Sequence, residues 1–233
     1  MSTQTEIRTA AGRVWAYRAS QEREAAARFF RIARRVREVF PALEHLARDA
    51  ARDELRHGDF CDALAEKFGV TARVLVRVPP DVGPRGLTFE QRVLYEVVAA
   101  CCVSETLSAT ALSQIHMLAK DAHVADIAHT ILKDEVSHSR LGWAALSEAK
   151  RTTDVSFLSR YVGEMLRFAA GDELYVGAPD LTAPEECAEG LGVLSTARRR
   201  DVVTSTVRDV LLPGFASLGV TLPAQSPELR AVG

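Results

Sequence analysis

Two five-residue segments of this 233-residue chain repeat one pattern, Asp53-Glu54-Leu55-Arg56-His57 and Asp134-Glu135-Val136-Ser137-His138. Residues three apart on a helix are rotated by roughly 60°, so the glutamate and histidine of each segment point to one side. Both pairs also fall on apolar seven-residue lines. Glu54 belongs to Ala47, Glu54, Cys61, Phe68, and His57 to Leu43, Ala50, His57, Leu64. Glu135 belongs to Ala128, Glu135, Gly142, and His138 to Ile131, His138, Ala145. A lone carboxylate or imidazole on such a core-facing line is costly. Upstream of each pair stands another glutamate in a core line, Glu22 with Trp15, Phe29 and Val36, and Glu105 with Val98 and Leu112. The intervals to the pairs are 32 and 30 residues, so one hairpin is written twice, 81 to 83 residues apart. Glu24 is the rival to Glu22, but its line (Tyr17, Arg31, Glu38) is mostly polar, and Glu22 is preferred.

Six inward side chains result, Glu22, Glu54, His57, Glu105, Glu135 and His138, and these are the candidate metal ligands and catalytic residues. Four carboxylates carry a charge that matches two divalent cations, and without metal several would have to take up protons. A mixed carboxylate and imidazole set suits iron or manganese, whereas zinc sites usually hold one tetrahedral ion. Asp53 and Asp134, directly before the pairs, are candidates to accept the free ring N–H of a ligand histidine and fix its tautomer. With 18 glutamates and six histidines in the chain, chance gives about half a Glu-x-x-His, and requiring the preceding aspartate lowers that to roughly 0.03. The bland alternative is charged helix faces that happen to align. The other histidines, 45, 116, 123 and 129, are expected at the surface or flanking a helical turn. Trp15 and Trp143 are expected in the core. Cys101, Cys102, Tyr161 and Tyr175 are expected to pack, with redox, capping or electron-relay roles as the alternative. Arg198-Arg199-Arg200 is expected to be a solvated face.

The elements that must position these residues are helical. Alanine, Arg, Glu and Leu dominate and few stretches alternate with period two. A first helix is expected over roughly Thr9 to Val39, ended by Phe40-Pro41. A second runs from about Pro41 to Phe68 on Leu43, Leu46, Ala50, Leu64 and Phe68, and Gly69 ends it. Residues 70–88 form a long crossover whose run VLVRV is either a short strand or extended chain. A third helix covers about Phe89 to Ala119 and a fourth roughly Val124 to Lys150. A fifth is expected over 156–170, a loop over 171–194, and a sixth helix from about Ser195 to Leu212, stopped by Pro213-Gly214. The remainder is a loosely docked tail. The expected architecture is all-α, a four-helix bundle over 1–150 with a helical extension over 151–233.

Composition bounds the partners. Lys+Arg 29 against Asp+Glu 31 gives a net charge of -2, which argues against nucleic acid or an anionic membrane as the main partner. Hydrophobic residues at 47% and charged residues at 26% exclude a disordered chain. The four cysteines (61, 101, 102 and 187) lack Cys-x-x-Cys spacing and suit buried positions in a reducing compartment. The start lacks an apolar signal stretch, and no segment approaches about 18 uninterrupted apolar residues, so a soluble cytoplasmic protein is expected.

Over roughly residues 10–150 the sequence resembles the ferritin-like superfamily of four-helix di-iron proteins, and within it the bacterial ferritin-like domain proteins. The resemblance rests on Glu22 followed by Phe29, on a Pro-initiated second helix carrying Asp-Glu-x-x-His, and on Glu105-Thr106. It implies that the six residues above bind metal, with Glu54 and Glu135, or Glu22 and Glu105, bridging in different redox states. Members of the superfamily oxygenate amines or aromatic rings, reduce peroxide, or oxidise and store iron. Two departures stand out: rubredoxin-like cysteines are absent, and about eighty residues follow the fourth helix. The leading expectation is a non-haem di-iron oxygenase or oxidase that uses O2 or peroxide on a small organic substrate. It would hold two Fe ions, with Mn or mixed Fe/Mn as variants, draw on an external electron donor, and allow a homodimer. The alternatives are a ferroxidase or peroxide-detoxifying protein, and a metal-free structural or partner-binding bundle.

Overall fold

A computed structural model describes residues 4–71, 83–174 and 188–222. The first helix, α1, spans Gln4–Val39 and buries a stripe through Ala11, Val14, Trp15, Ala19, Glu22, Ala26, Phe29, Ile32 and Val36. Steps of three and four residues keep that stripe on one face. It starts five residues earlier than the periodicity predicts. Pro41 ends it, opening the 3-10 turn Pro41–Leu43, which turns the chain into α2, Glu44–Lys67. A four-residue connection leaves α1 and α2 antiparallel neighbours. Small residues along α2 (Ala47, Ala50, Ala51, Gly58) allow close packing on α1. Leu46, expected in the core, is 44% exposed, because the buried stripe passes through Ala47, Ala50 and Ala51 and leaves it on the flank. Gly69 takes a left-handed φ of 82° while Val70 N–H donates to Ala65 O at 2.9 Å, a Schellman end.

The run VLVRV lies outside the described residues. Thr88 then caps α3, Phe89–Leu118, through a reciprocal box with Gln91. This helix is α-helical over Phe89–Val97, π-helical over Val98–Ser104, and α-helical again over Glu105–Leu118. It is long and apolar enough to span a bilayer, but 72% of its apolar window is buried inside the bundle. Asp121 accepts from His123 N–H and Val124 N–H to start α4, Ala122–Thr152.

The four helices stack two apolar clusters with a polar layer between them. One cluster holds Trp15, Leu64, Leu112 and Ile131, the other Phe29, Ile32, Val36, Val97 and Leu141. Each large aliphatic or aromatic side chain so buried contributes about 1.5–3 kcal/mol. That surplus offsets the cost of the polar layer, which contains Glu22, Glu54, Glu105 and Glu135.

After α4 the chain differs from expectation in two places. Residues Ser156–Arg160 form a 3-10 turn, and α5 proper is Val162–Glu173, so helix replaces the first residues of the expected loop. The last helix, α6 (196–217), does not stop at Pro213-Gly214. It runs as Thr196–Thr206, a π-helical turn Val207–Leu211, and Leu212–Ser217. A π turn shifts the hydrogen-bond ladder by one residue, and a proline lacking an N–H is tolerated just beyond such a shift. Helix α5 packs on the π-helical stretch of α3, and α6 packs on the half of α3 that follows it. Together they complete a third apolar cluster through Leu158, Val162, Leu166, Leu211 and Phe215. The expected tail from Pro223 onward lies outside the described residues.

Candidate metal centre

Each bundle helix delivers part of the polar layer: Glu22 from α1, Glu54 and His57 from α2, Glu105 from α3, and Glu135 and His138 from α4. All six are buried, none more than 6% exposed. Glu24 is only half-buried. The spacing of α3 and α4 here is set by Gly142, where a Cβ would lie 2.6 Å from Cys101 Cβ and 2.7 Å from the Cys102 amide nitrogen. Cys101 and Cys102 belong to the π-helical stretch that ends directly before Glu105. The wider turn and the missing side chain together bring Glu105 level with Glu135.

Two quartets of donor atoms overlap. One atom from each of Glu22, Glu54, His57 and Glu135 lies within 4.8 Å of the other three, and so does one from each of Glu54, Glu105, Glu135 and His138. Glu54 and Glu135 belong to both. His138 Nδ1 stands 3.0 Å from Glu54 Oε1 and 3.1 Å from Glu135 Oε2, and His57 Nδ1 stands 3.4 Å from Glu54 Oε2. The two imidazoles are 5.9 Å apart, with the Phe29 ring 5.3 Å from His138 on the apolar side.

Behind the rings the contacts cross. His57 Nε2 meets Asp134 Oδ2 at 3.1 Å, and His138 Nε2 meets Asp53 Oδ2 at 3.4 Å, so each aspartate serves the histidine of the other helix. With Nε2–H donating to an aspartate, Nδ1 is left to face the carboxylates. Arg56 ties the pair together, its Nη2 2.9 Å from Asp53 Oδ1 and 2.7 Å from Asp134 Oδ2.

Packing four carboxylates this closely has electrostatic consequences. Burial pushes Glu22 well above the ordinary carboxylate range, reinforced by the charge of Glu54 and only partly opposed by Arg18. Glu105 is pushed up by burial and by Glu135 and Glu54. Burial would raise Glu54 too, but the flanking imidazoles outweigh it and hold Glu54 at about 2. Desolvation works against charging the histidines, yet the carboxylates win, lifting His57 to about 9 and His138 to about 11. Without a cation, protons on Glu22, Glu105 and the two imidazoles would balance the charge. Even so, both Glu54 oxygens and His57 Nδ1 are buried without a well-formed hydrogen bond, a costly state for polar atoms. Oxygen and imidazole donors, converging, anionic and short of partners, have the chemistry of a divalent-cation site.

Helix order, the long connection after α2 and this inward layer together decide the architecture. The fold is ferritin-like. No protein-family model and no curated protein matches the sequence. Among solved structures, the chain is similar to "Protein 19 with aldehyde deformylating oxidase activity from Synechococcus". That likeness has a TM-score of 0.65 over 99% of this chain and 96% of that one, at 16% identity. The ferritin-like match therefore extends through α5 and α6 as well as the bundle.

Three residues that touch this polar cluster or the aspartates behind it are given no role by the sequence pattern. Arg18 is buried, its Nε 3.2 Å from Glu22 Oε1, and it donates to Ser108 Oγ at 3.0 Å. Ser108 in turn donates to Glu135 Oε1 at 3.2 Å. Arg56 is the third. An arginine one turn before Glu22 on the same buried face is a signal the sequence does carry. Elsewhere, Glu96 is buried against Arg31 and Arg35 and ties α3 to α1. His45, His123 and His129 are exposed, and His129 stacks on the half-buried His116 at 4.8 Å. Trp15 is buried with its indole N–H on Leu191 O at 2.9 Å, while Trp143 is partly buried on Phe215. Tyr161 packs edge-on against Tyr95. In the arginine run, Arg200 is exposed, Arg199 is half-buried, and Arg198 pairs with Glu189 at 3.0 Å. Tyr175 and Cys187 lie outside the described residues.

Proposed function

We propose that this chain is a non-haem di-iron oxidoreductase that uses O2 or peroxide to oxidise a small organic substrate. The observation that carries the reading is the pair of overlapping donor quartets sharing Glu54 and Glu135. Such sharing suits two cations held side by side. Glu22 and His57 complete one position, Glu105 and His138 the other. Iron is the assigned metal because the set mixes carboxylate and imidazole without thiolate, and manganese in one or both positions is the variant. When bound, the metal pair supplies the electron-transfer chemistry with oxygen that no side chain provides.

The protein's own part is positioning. Asp134 and Asp53 hold the Nε2 protons of His57 and His138, which presents both Nδ1 atoms inward. Arg56 locks the two aspartates to each other across α2 and α4. Phe29 and the apolar clusters above and below keep bulk water out. We assign residues 1–150 to the metal-binding bundle and 151–233 to a helical extension forming a wall over α3. An external electron donor is required for turnover. A cytoplasmic setting suits the free, buried thiols Cys61, Cys101 and Cys102.

The test is to load the full chain with Fe(II) without oxygen, then admit O2 with a reductant and candidate substrates. Aldehydes come first, because aldehyde deformylating oxidase activity belongs to the similar protein; primary amines and aryl compounds follow. Oxygen uptake coupled to product, and lost in Glu54→Gln, is expected. Uptake that only oxidises iron, with iron accumulating far beyond two per chain, would instead indicate an iron-handling protein.

A further inference from the structure

The two halves of the centre are not chemically equal. Overlaying one hairpin on the other pairs Glu22 with Glu105, Glu54 with Glu135 and His57 with His138. Four residues before the single glutamate the correspondence breaks, since α1 carries Arg18 and α3 carries Cys101. Arg18 is 6% exposed and sits 3.2 Å from Glu22, whereas Cys101 is a fully buried thiol. The largest charges acting on Glu105 are carboxylates, Glu135 first, then Glu54 and Glu22.

A guanidinium keeps its charge at any working pH. In a low-dielectric interior it repels a cation at its own side of the centre and draws donor strength from the carboxylate it touches. Through Ser108 it also reaches Glu135 Oε1, but that oxygen belongs to a carboxylate shared by both positions, so its effect there is common. The unshared effect falls on Glu22.

We propose that the two metal positions fill in order, the one at Glu105 and His138 first and the one at Glu22 and His57 second, with the buried Arg18 guanidinium setting the difference. This rests on the di-metal reading above.

The experiment is an anaerobic titration of the metal-free full-length chain with Mn(II), following free Mn(II) by electron paramagnetic resonance and heat by calorimetry. Two binding steps are expected, with dissociation constants at least tenfold apart. Arg18→Gln should narrow the gap to less than threefold by tightening the weaker step, and Arg18→Lys should retain most of it. His138→Ala should remove the tighter step, whereas His57→Ala should remove the weaker one and spare the tighter. Melting curves establish that each variant is folded, and the wild-type and histidine titrations decide the order even if Arg18→Gln is not. Two indistinguishable constants in the wild type, a His57→Ala protein that loses the tighter step, or a folded Arg18→Gln protein with an unchanged gap would overturn the inference. No Mn(II) uptake by the wild type would overturn the di-metal reading itself.

Discussion

At the scale of single residues, the centre is a competition between protons and metal ions for the same donors. Below about pH 9 both imidazoles of the metal-free site are protonated, so binding two cations expels at least two protons. The product of the two binding constants should therefore rise by at least about 100-fold per pH unit between pH 6 and 8, and more steeply if Glu22 and Glu105, also raised by burial, give up protons too. Calorimetry in buffers of different ionisation heat checks this, and pH-independent affinity would contradict it. Stability has the linked sign. His57 and His138 have raised values, so their contribution to the metal-free protein is complete below about pH 6.5 and is lost as pH rises through about 9 and about 11. The melting temperature of the metal-free protein should fall over that window, and saturating metal should flatten the fall. Asp134→Ala, which frees His57 Nε2, should weaken metal affinity by about 10- to 100-fold while leaving the fold intact. The six inward side chains were legible because a charged residue on an apolar line is conspicuous. Arg18 is equally conspicuous on that criterion, but a spacing rule built on Glu and His has no place for it. The crossed pairing of Asp53 with His138 and Asp134 with His57 depends on how α2 and α4 face each other, which no local pattern encodes.

Secondary-structure elements fix how precisely those side chains meet. The contact of Gly142 with the π-helical stretch of α3 is the tightest such constraint, because the atoms in the way include backbone. Gly142→Ala should cost about 3 kcal/mol by overpacking and should loosen metal binding, as α3 and α4 are levered apart between Glu105 and Glu135. Chemical denaturation with and without metal measures both effects, and an unchanged midpoint would refute the assigned role. Helix existence was well marked by period and punctuation: Pro41 and Gly69 bound α2, and the α3 to α4 turn falls at Asp121. The π-helical turns were not marked. They shift the ladder by one residue, but α3 is buried on nearly every side there, so Val98, Glu105 and Leu112 are buried on either reading. The same blindness produced the premature end at Pro213, where a neighbouring π turn accommodates a residue that would break a plain helix.

For the whole molecule, α5 and α6 are built into the core. Leu158, Val162, Leu166, Leu211 and Phe215 share one buried cluster with Leu94, Val98, Leu107 and Leu146 of α3 and α4. Truncation after Lys150 should strip that cover and leave a chain that no longer melts in one cooperative step, and scanning calorimetry of the full chain should show a single transition. The extension was foreseen only as an appendage, because its helices lack the repeated glutamate and histidine pattern that marks the bundle. What the whole arrangement asserts is that four helices converge on a pair of cations sharing Glu54 and Glu135. Anomalous diffraction at the iron edge from crystals of the Fe(II)-loaded protein tests this most directly. Two peaks are predicted, each touching Glu54 and Glu135, one also touching Glu22 and His57 and the other Glu105 and His138. A single peak, or iron bound only at surface residues, would contradict the account.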